Sequence, residues 1–278
     1  MPGNLANVVI KSPAARAGAG LLVGLLILGG CAMQTRVVAD AVRTEARRTA
    51  EFSAIVSTER GDLSLVLDAQ TAPQAVAAIR TAMQTQGYDG VTIEWIRPHT
   101  EIRTGLPRAA GNLDSELDAV ALGLDQQHIE DAGAAMNAIQ FELEPAFVRA
   151  GAGASVQLRE WIATWRRDFD PGFLIGVTRQ QINEALGYRY QAGHASRPAR
   201  RGSVALVPGK PGSTTLALAI LLRDQPKRDG CWVVIGKVVS GLELVDSLSI
   251  APRLHPKSFE PLQPTRITRT HVSGPHSD

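Results

Sequence analysis

The sequence predicts a mainly β fold interrupted by a helical block, and three observations predict it. Apolar residues alternate with polar ones through Phe52, Ala54 and Val56 and again through Leu63, Leu65 and Leu67, a pattern that turns one face of each strand to a core. Comparable strand patterns return late in the chain, at Gly202 to Val207, Leu216 to Leu222, Trp232 to Val239 and Pro264 to Val272. Between these two blocks the period becomes helical, with Leu158, Trp161, Ile162 and Trp165 at i, i+3, i+4 and i+7.

Taken in order, the turn Glu59-Arg60-Gly61 joins the first two strands into a hairpin. Thr71, Ala72 and Pro73 start a helix with proline in its first turn; Ala75, Val76, Ile79 and Met83 share a face, and Gly87 ends it. Val91 to Ile96 is a strand closed by Pro98. After Gly105 the character changes for about a hundred residues, and a structureless loop of that length does not suit a compact domain. Ser155 caps the Trp161 helix, with Arg159, Glu160, Arg166 and Arg167 on its polar side. Thr178 and Gln181 form a capping box before Ile182, Leu186 and Gly187. Residues 106–200 are therefore read as a helical insertion. The Trp161 and Trp165 stripe is expected to pack against the strand-rich part, with a partner-binding face as the alternative. Asp229-Gly230 turns the chain into the Trp232 strand, and a short helix follows over Leu242 to Leu248. Residues 52–105 and 201–273 then make one strand-rich domain.

The first thirty residues carry Lys11 and Arg16, then the apolar run Leu21, Leu22, Val23, Leu25, Leu26, Ile27 and Leu28. That is the charge-then-apolar order of a secretory signal. The run ends in Leu28-Gly29-Gly30-Cys31, which resembles a bacterial lipoprotein processing box. The resemblance implies a signal peptide over 1–30, diacylglycerol on the Cys31 thiol and a periplasm-facing tether over 31–51. In that family an aspartate after the cysteine retains the protein at the inner membrane, so Ala32 favours the outer membrane. The alternative is an uncleaved anchor, because Ala17 to Thr35 is uncharged and approaches the ~18 residues a spanning helix needs. Its glycines and few bulky residues make it a poor permanent span. Buried acyl chains contribute ~0.8 kcal/mol per methylene, so two or three hold a soluble domain at a bilayer.

A net charge of +2 with interspersed signs offers no polyanion surface, and nucleic acid is excluded as a partner. Two cysteines are present; lipidation of Cys31 leaves no intrachain disulfide, and Cys231 is expected as a small half-buried apolar residue. The six histidines are scattered without paired helical spacing, so no metal site is predicted. No Gly-x-Ser-x-Gly elbow is present, and Gly209-Lys210-Pro211-Gly212-Ser213-Thr214 reads as a turn because proline follows the lysine. Glu116, Asp118, Glu130 and Asp131 are expected on solvated helix faces.

Several short motifs recur in an order that resembles the cyclophilins, the peptidyl-prolyl cis-trans isomerases. In the first block these are Arg60-Gly61-Asp62, the Ala72-Pro73 helix start and Tyr88-Asp89-Gly90. In the second they are Arg201-Gly202-Ser203-Val204-Ala205, Asp229-Gly230, Ile235-Gly236-Lys237-Val238-Val239, Gly241 and Val245-Asp246. The resemblance implies a closed eight-stranded antiparallel barrel capped by two helices, with a peptide groove on its outer wall, no cofactor, and proline-containing peptides or envelope proteins as partners. The family lacks an insertion of this size between its halves.

Rotation about an amide meets a barrier of ~18–20 kcal/mol, which a catalyst lowers by binding the twisted form best. Cyclophilins are understood to use an arginine aimed at the prolyl amide, a glutamine holding the backbone and an apolar proline pocket. Aligned on Tyr88-Asp89-Gly90 and Pro98, this chain has Trp95 at the arginine, Glu94 at the preceding histidine, Thr100 at the pocket phenylalanine and Arg103 at the first glutamine. The second glutamine falls at Thr215 or Ala217 and the second phenylalanine at Ala217 or Ala219. The groove histidine falls at Trp232, and the tryptophan before the turn at Lys227. Arg97 shares a strand face with Trp95 by its spacing, and Arg97 and Arg103 are candidate substitute donors; the bland alternative makes both solvated surface arginines. The expectation is a cyclophilin fold with weak or lost isomerase activity, and the alternative a non-catalytic peptide- or protein-binding envelope module.

Overall fold

A computed structural model describes residues 50–108 and 111–275. The signal segment, Cys31 and nearly all of the tether lie outside the described residues. The alternating hairpin forms as read: β1 (Glu51–Thr58) pairs antiparallel with β2 (Gly61–Asp68), Val56 opposite Leu63 and Ala54 opposite Leu65. Helix α1 (Pro73–Gln84) buries Ala75, Val76, Ile79 and Met83. Then come β3 (Ile93–Arg97), β4 (Glu101–Thr104) and a two-residue β5 (Leu113–Asp114). After residue 200 the chain forms β6 (Ser203–Pro208), β7 (Ser213–Leu221), β8 (Val233–Ser240), a terminal helix (Leu242–Ser249) and β9 (Ile267–Pro275).

These strands make one antiparallel sheet in the spatial order β3-β4-β7-β6-β8-β2-β1-β9, with β5 beside β7. The inner face of the curled sheet carries Leu65, Leu67, Ile96, Ile102, Val204 and Ile220, and both α1 and the terminal helix contribute to the same apolar core through Ile79, Met83, Val245 and Leu248. The sheet is open, which corrects the expected closed eight-stranded barrel. Between its end strands there is an isolated bridge, Thr92 to Arg266, with a few backbone bonds such as Ile93 N to Thr265 O at 2.8 Å. The reason is local. β3 has five residues, and its outer edge is met by the loop before β9, where Ile96 N donates to Phe259 O at 2.7 Å. A loop can satisfy an exposed strand edge as a strand does.

The segment over 106–200 differs from an all-helical block at both ends, since β5 joins the sheet and the chain from Tyr188 to Gly202 forms neither helix nor strand. Its centre holds α2 (Ala132–Ala138), a π-helical turn (Ile139–Leu143), α3 (Glu144–Ala150), α4 (Val156–Asp168) and α5 (Arg179–Ala185). Ser155 Oγ accepts from Leu158 N at 3.0 Å, and the Thr178–Gln181 capping box forms. Helices this short need tertiary burial, and they find it in a second cluster of their own, built from Ile139, Leu143, Leu158, Ile162, Leu174 and Ile182. Trp161 and Trp165 pack on that cluster rather than on the sheet.

Two of the expected surface carboxylates are buried instead. The Glu116 oxygens accept from Gln74 N at 3.0 Å and Ala75 N at 2.8 Å, capping α1 from a distant part of the chain because Ala72 at its N-terminus has no side chain to do so. Asp118 likewise accepts from Val120, Ala121 and Gly193 backbone N–H groups.

The Tyr88-Asp89-Gly90 motif joins the first half of the sheet to the second. The Tyr88 hydroxyl, fully buried, donates to Leu216 O at 2.5 Å, and Asp89 Oδ1 accepts from Thr270 N at 3.1 Å. Burial pushes the Tyr88 phenol well above its ordinary pKa, so it remains a donor. Tyr88→Phe is expected to lower the unfolding free energy by about 1–3 kcal/mol, since a buried carbonyl loses its partner. Urea denaturation checks this, and an unchanged midpoint would show that Leu216 O does not depend on the phenol.

Candidate functional site

The outer wall of the sheet takes its character from a bulge in β3. Ile93 pairs with Thr104 but Trp95 pairs with Arg103, so Glu94 is an extra residue on one strand. Ile93 and Ile96 therefore both face the core, and Trp95 is turned to the outer face. Across that face Trp95, Arg103, Ala219 and Ala205 stand opposite one another on four successive strands.

Beneath them lies Glu101, two residues before Arg103 and hence on its face. Glu101 is fully buried. Its carboxylate accepts from Arg103 Nη2 at 2.6 Å and Nε at 3.0 Å, from Arg228 Nη2 at 2.9 Å and from Gln225 Nε2 at 3.2 Å. An ionised carboxylate is stable at such depth when hydrogen-bonded cations surround it. The two arginines enter a continuous stack. The Phe259 and Trp95 rings lie 4.3 Å apart, the Arg103 guanidinium sits 4.6 Å from the Trp95 ring and 4.9 Å from the Trp232 ring, and Arg228 lies 3.8 Å from Trp232. Cation–π contacts of this kind contribute about 0.5–2 kcal/mol each, more as they are dehydrated. Burial pushes the Arg228 pKa down against the pull of Glu101, and the guanidiniums of Arg103 and Arg97 add to the fall.

A groove of about 540 Å³ runs beside the Trp95 end of the stack, lined among others by Glu94, Trp95, Arg103, Ala217 and Pro261. Of the residues expected at a peptide groove, Trp95, Arg103 and Ala217 line this one. Trp232 and Ala219 are buried next to it in a small apolar cluster with Ala205 and Leu221. Thr100 is buried in the β3–β4 turn, its hydroxyl donating to Pro98 O at 3.0 Å. Thr215 is half-buried and donates to Val207 O at 2.8 Å. Arg97 is exposed, opposite Glu101 on the neighbouring strand. Two donors at the site are buried without a partner, Trp95 Nε1 and Arg228 Nη1. Cys231 is half-buried as expected, and desolvation pushes its thiol pKa up.

Sequence reasoning missed Glu101, Arg228, Gln225 and Phe259. The i, i+2 spacing of Glu101 and Arg103 was the available signal for the first. The others arrive from loops whose positions no periodicity encodes.

Glu101→Gln removes the charge that two largely buried guanidiniums share. It is expected to lower the unfolding free energy by roughly 3 kcal/mol, the scale for breaking a buried ion pair from one side. A denaturant midpoint within error of the parent would show that the stack stands without the carboxylate.

Residues 53–272 match the family model for cyclophilin type peptidyl-prolyl cis-trans isomerase/CLD. Two proteins from Brucella suis and Brucella melitensis, each described as a probable peptidyl-prolyl cis-trans isomerase, are 25% identical to this chain over 208 residues, covering 75% of it and 76% of their own length. A crystal structure of a Cryptosporidium parvum cyclophilin type peptidyl-prolyl cis-trans isomerase, in the presence of the dipeptide Ala-Pro, is similar to this one at 14% identity with a TM-score of 0.47, covering 81% of this chain and 99% of that one. With the family match spanning both strand-rich blocks and the segment between them, the chain belongs to the cyclophilin-type peptidyl-prolyl cis-trans isomerase family.

Proposed function

We propose that this chain is an envelope lipoprotein whose cyclophilin-type domain engages Xaa-Pro segments of exported proteins and isomerises them weakly or not at all. The observation that carries the catalytic part is the state of Arg103. It is the guanidinium nearest the groove, and Glu101 holds it by two hydrogen bonds between the faces of Trp95 and Trp232. A donor lowers the rotation barrier when it is aimed at the amide in its twisted form and interacts with it more strongly than with the planar forms. Arg103 would have to give up Glu101 and an aromatic face to reach a prolyl nitrogen. At the position where the family places its arginine stands Trp95, which carries no charge and whose indole N–H is buried.

The same arrangement favours a second reading, a non-catalytic module that binds peptide without turning it over. With Trp232 buried and Arg228 packed on it, the groove lies at the Trp95 end of the wall. Isomerisation breaks no covalent bond, so neither reading needs a cofactor. The envelope location is supported by the charged-then-apolar opening of the sequence and by Leu28-Gly29-Gly30-Cys31, and lipid on Cys31 would present the domain to newly exported chains from a periplasm-facing membrane surface.

A protease-coupled proline-isomerisation assay is expected to give a kcat/KM at least about a hundredfold below that of an ordinary cyclophilin, the scale for losing one oriented donor. Turnover equal to an ordinary cyclophilin would refute the loss. In a bacterial host fed radiolabelled palmitate, the parent chain is expected to carry label and Cys31→Ser to carry none; label on both, or on neither, would remove the lipoprotein assignment.

A further inference from the structure

Arg228 and Trp232, which complete the stack over Glu101, both belong to the turn that leads into β8. The sheet holds that turn through the bonds of Gln225 and Arg228 to Glu101, and the rest of its partners come from elsewhere. Its Gly230 has φ +77°, and a Cβ there would lie 2.3 Å from Leu124 Cδ1, so the chain between β5 and α2 presses directly on it. Gly230 O accepts from the Tyr190 hydroxyl at 3.0 Å, and that hydroxyl accepts from Asn183 Nδ2 at 2.7 Å. Asn183 is fully buried on α5. Next along the turn, Cys231 lies beside the Tyr188 hydroxyl, which draws its thiol pKa down against the larger rise from burial. From the other side, Asp229 Oδ1 accepts from Ala199 N at 2.7 Å. Every one of these partners lies between β5 and β6, the segment that carries the extra helices.

We propose that Tyr190, oriented by Asn183, is a positioning residue for the groove: by fixing Gly230 it holds Trp232 against Arg103, and through them it sets the affinity of the groove for a proline-containing peptide. The affinity part rests on the function proposed above. The physical argument is one of order. A hydroxyl that both donates and accepts has its direction fixed by two partners, and Gly230, without a side chain, is located through its backbone carbonyl and the packing of Leu124 against it. Trp232 follows two residues later, too close for a displaced Gly230 to leave its ring where it is. If Trp232 swings away, Arg103 loses one of its two aromatic faces.

The test is Tyr190→Phe in the full chain, which keeps the ring and deletes the hydroxyl, read by the indole N–H resonances of its tryptophans and by titration with succinyl-Ala-Ala-Pro-Phe anilide. Trp161 and Trp165, packed on the insertion's own cluster, serve as internal references. Asp131→Ala is the control, because it removes the Ala134 N–H cap of α2 without touching the turn. In Tyr190→Phe the Trp232 and Trp95 signals are expected to shift, those of Trp161 and Trp165 to stay, and the peptide affinity to fall about fivefold, the scale of one neutral hydrogen bond; Asp131→Ala is expected to change none of these. An unmoved Trp232 signal, a common shift of all four indoles, an equal effect of Asp131→Ala, or undiminished affinity would each overturn the proposal. Selective Trp232 movement in a chain whose parent binds no peptide would support the positioning and overturn the proposed function instead.

Discussion

A single dehydrated carboxylate organises the outer wall of this domain. Glu101 has given up its water completely, and an uncompensated charge in that place would cost several kcal/mol. Compensation comes from two guanidiniums and an amide that converge from different parts of the chain, Arg103 from the same strand and Arg228 with Gln225 from the approach to β8. Once those guanidiniums are fixed, their flat faces require partners that tolerate little hydration; Trp95 and Trp232 supply them, and Phe259 stacks behind Trp95. The small residues Ala205 and Ala219 beneath leave the space above the strands to these larger groups.

On the reading proposed above, the same demand makes the wall a poor place for an aimed catalytic donor. A guanidinium that satisfies a buried carboxylate and two aromatic faces is already near its best arrangement, so any reach toward a twisted amide is opposed by what holds it. On that reading stability and catalysis compete for one side chain, since a catalytic cation must interact more strongly with the transition state than with its resting partners.

The extra segment between the two strand-rich blocks is coupled to this wall, where its Ala199 packs with Ala205, Ala219 and Trp232. Its helices form their own core, and the segment meets the sheet domain at the turn carrying Arg228 and Trp232, at the start of α1 through Glu116 and along β7 through β5. On the opposite side of the groove, the loop before β9 fills the place where a closing strand would have paired. It satisfies the edge of β3 through Phe259 O while stacking the Phe259 ring on Trp95. The open sheet and the closed stack thus share one loop.

The elements were legible where the pattern is local. The Phe52 to Leu67 hairpin, the Pro73 helix, the Ser155 cap and the Thr178–Gln181 box all depend on spacing within a few residues, and each formed as read. The short strands β4 and β5 were not read, because four and two residues are too few to show a period. Glu116 was placed on a solvated face because its partners, the free N–H groups at the start of α1, lie some forty positions away. The sequence by itself determined the family and the strand and helix periods, since these are properties of order along the chain. The tertiary structure decided that the sheet stays open, that Trp95 faces outward by way of a one-residue bulge, and that Glu101 gathers Arg103 and Arg228. Those outcomes depend on burial and on charges meeting across distant segments; Glu101 and Arg103 share a face by spacing, but the pair of Glu101 with Arg228, more than a hundred positions apart, has no such signature.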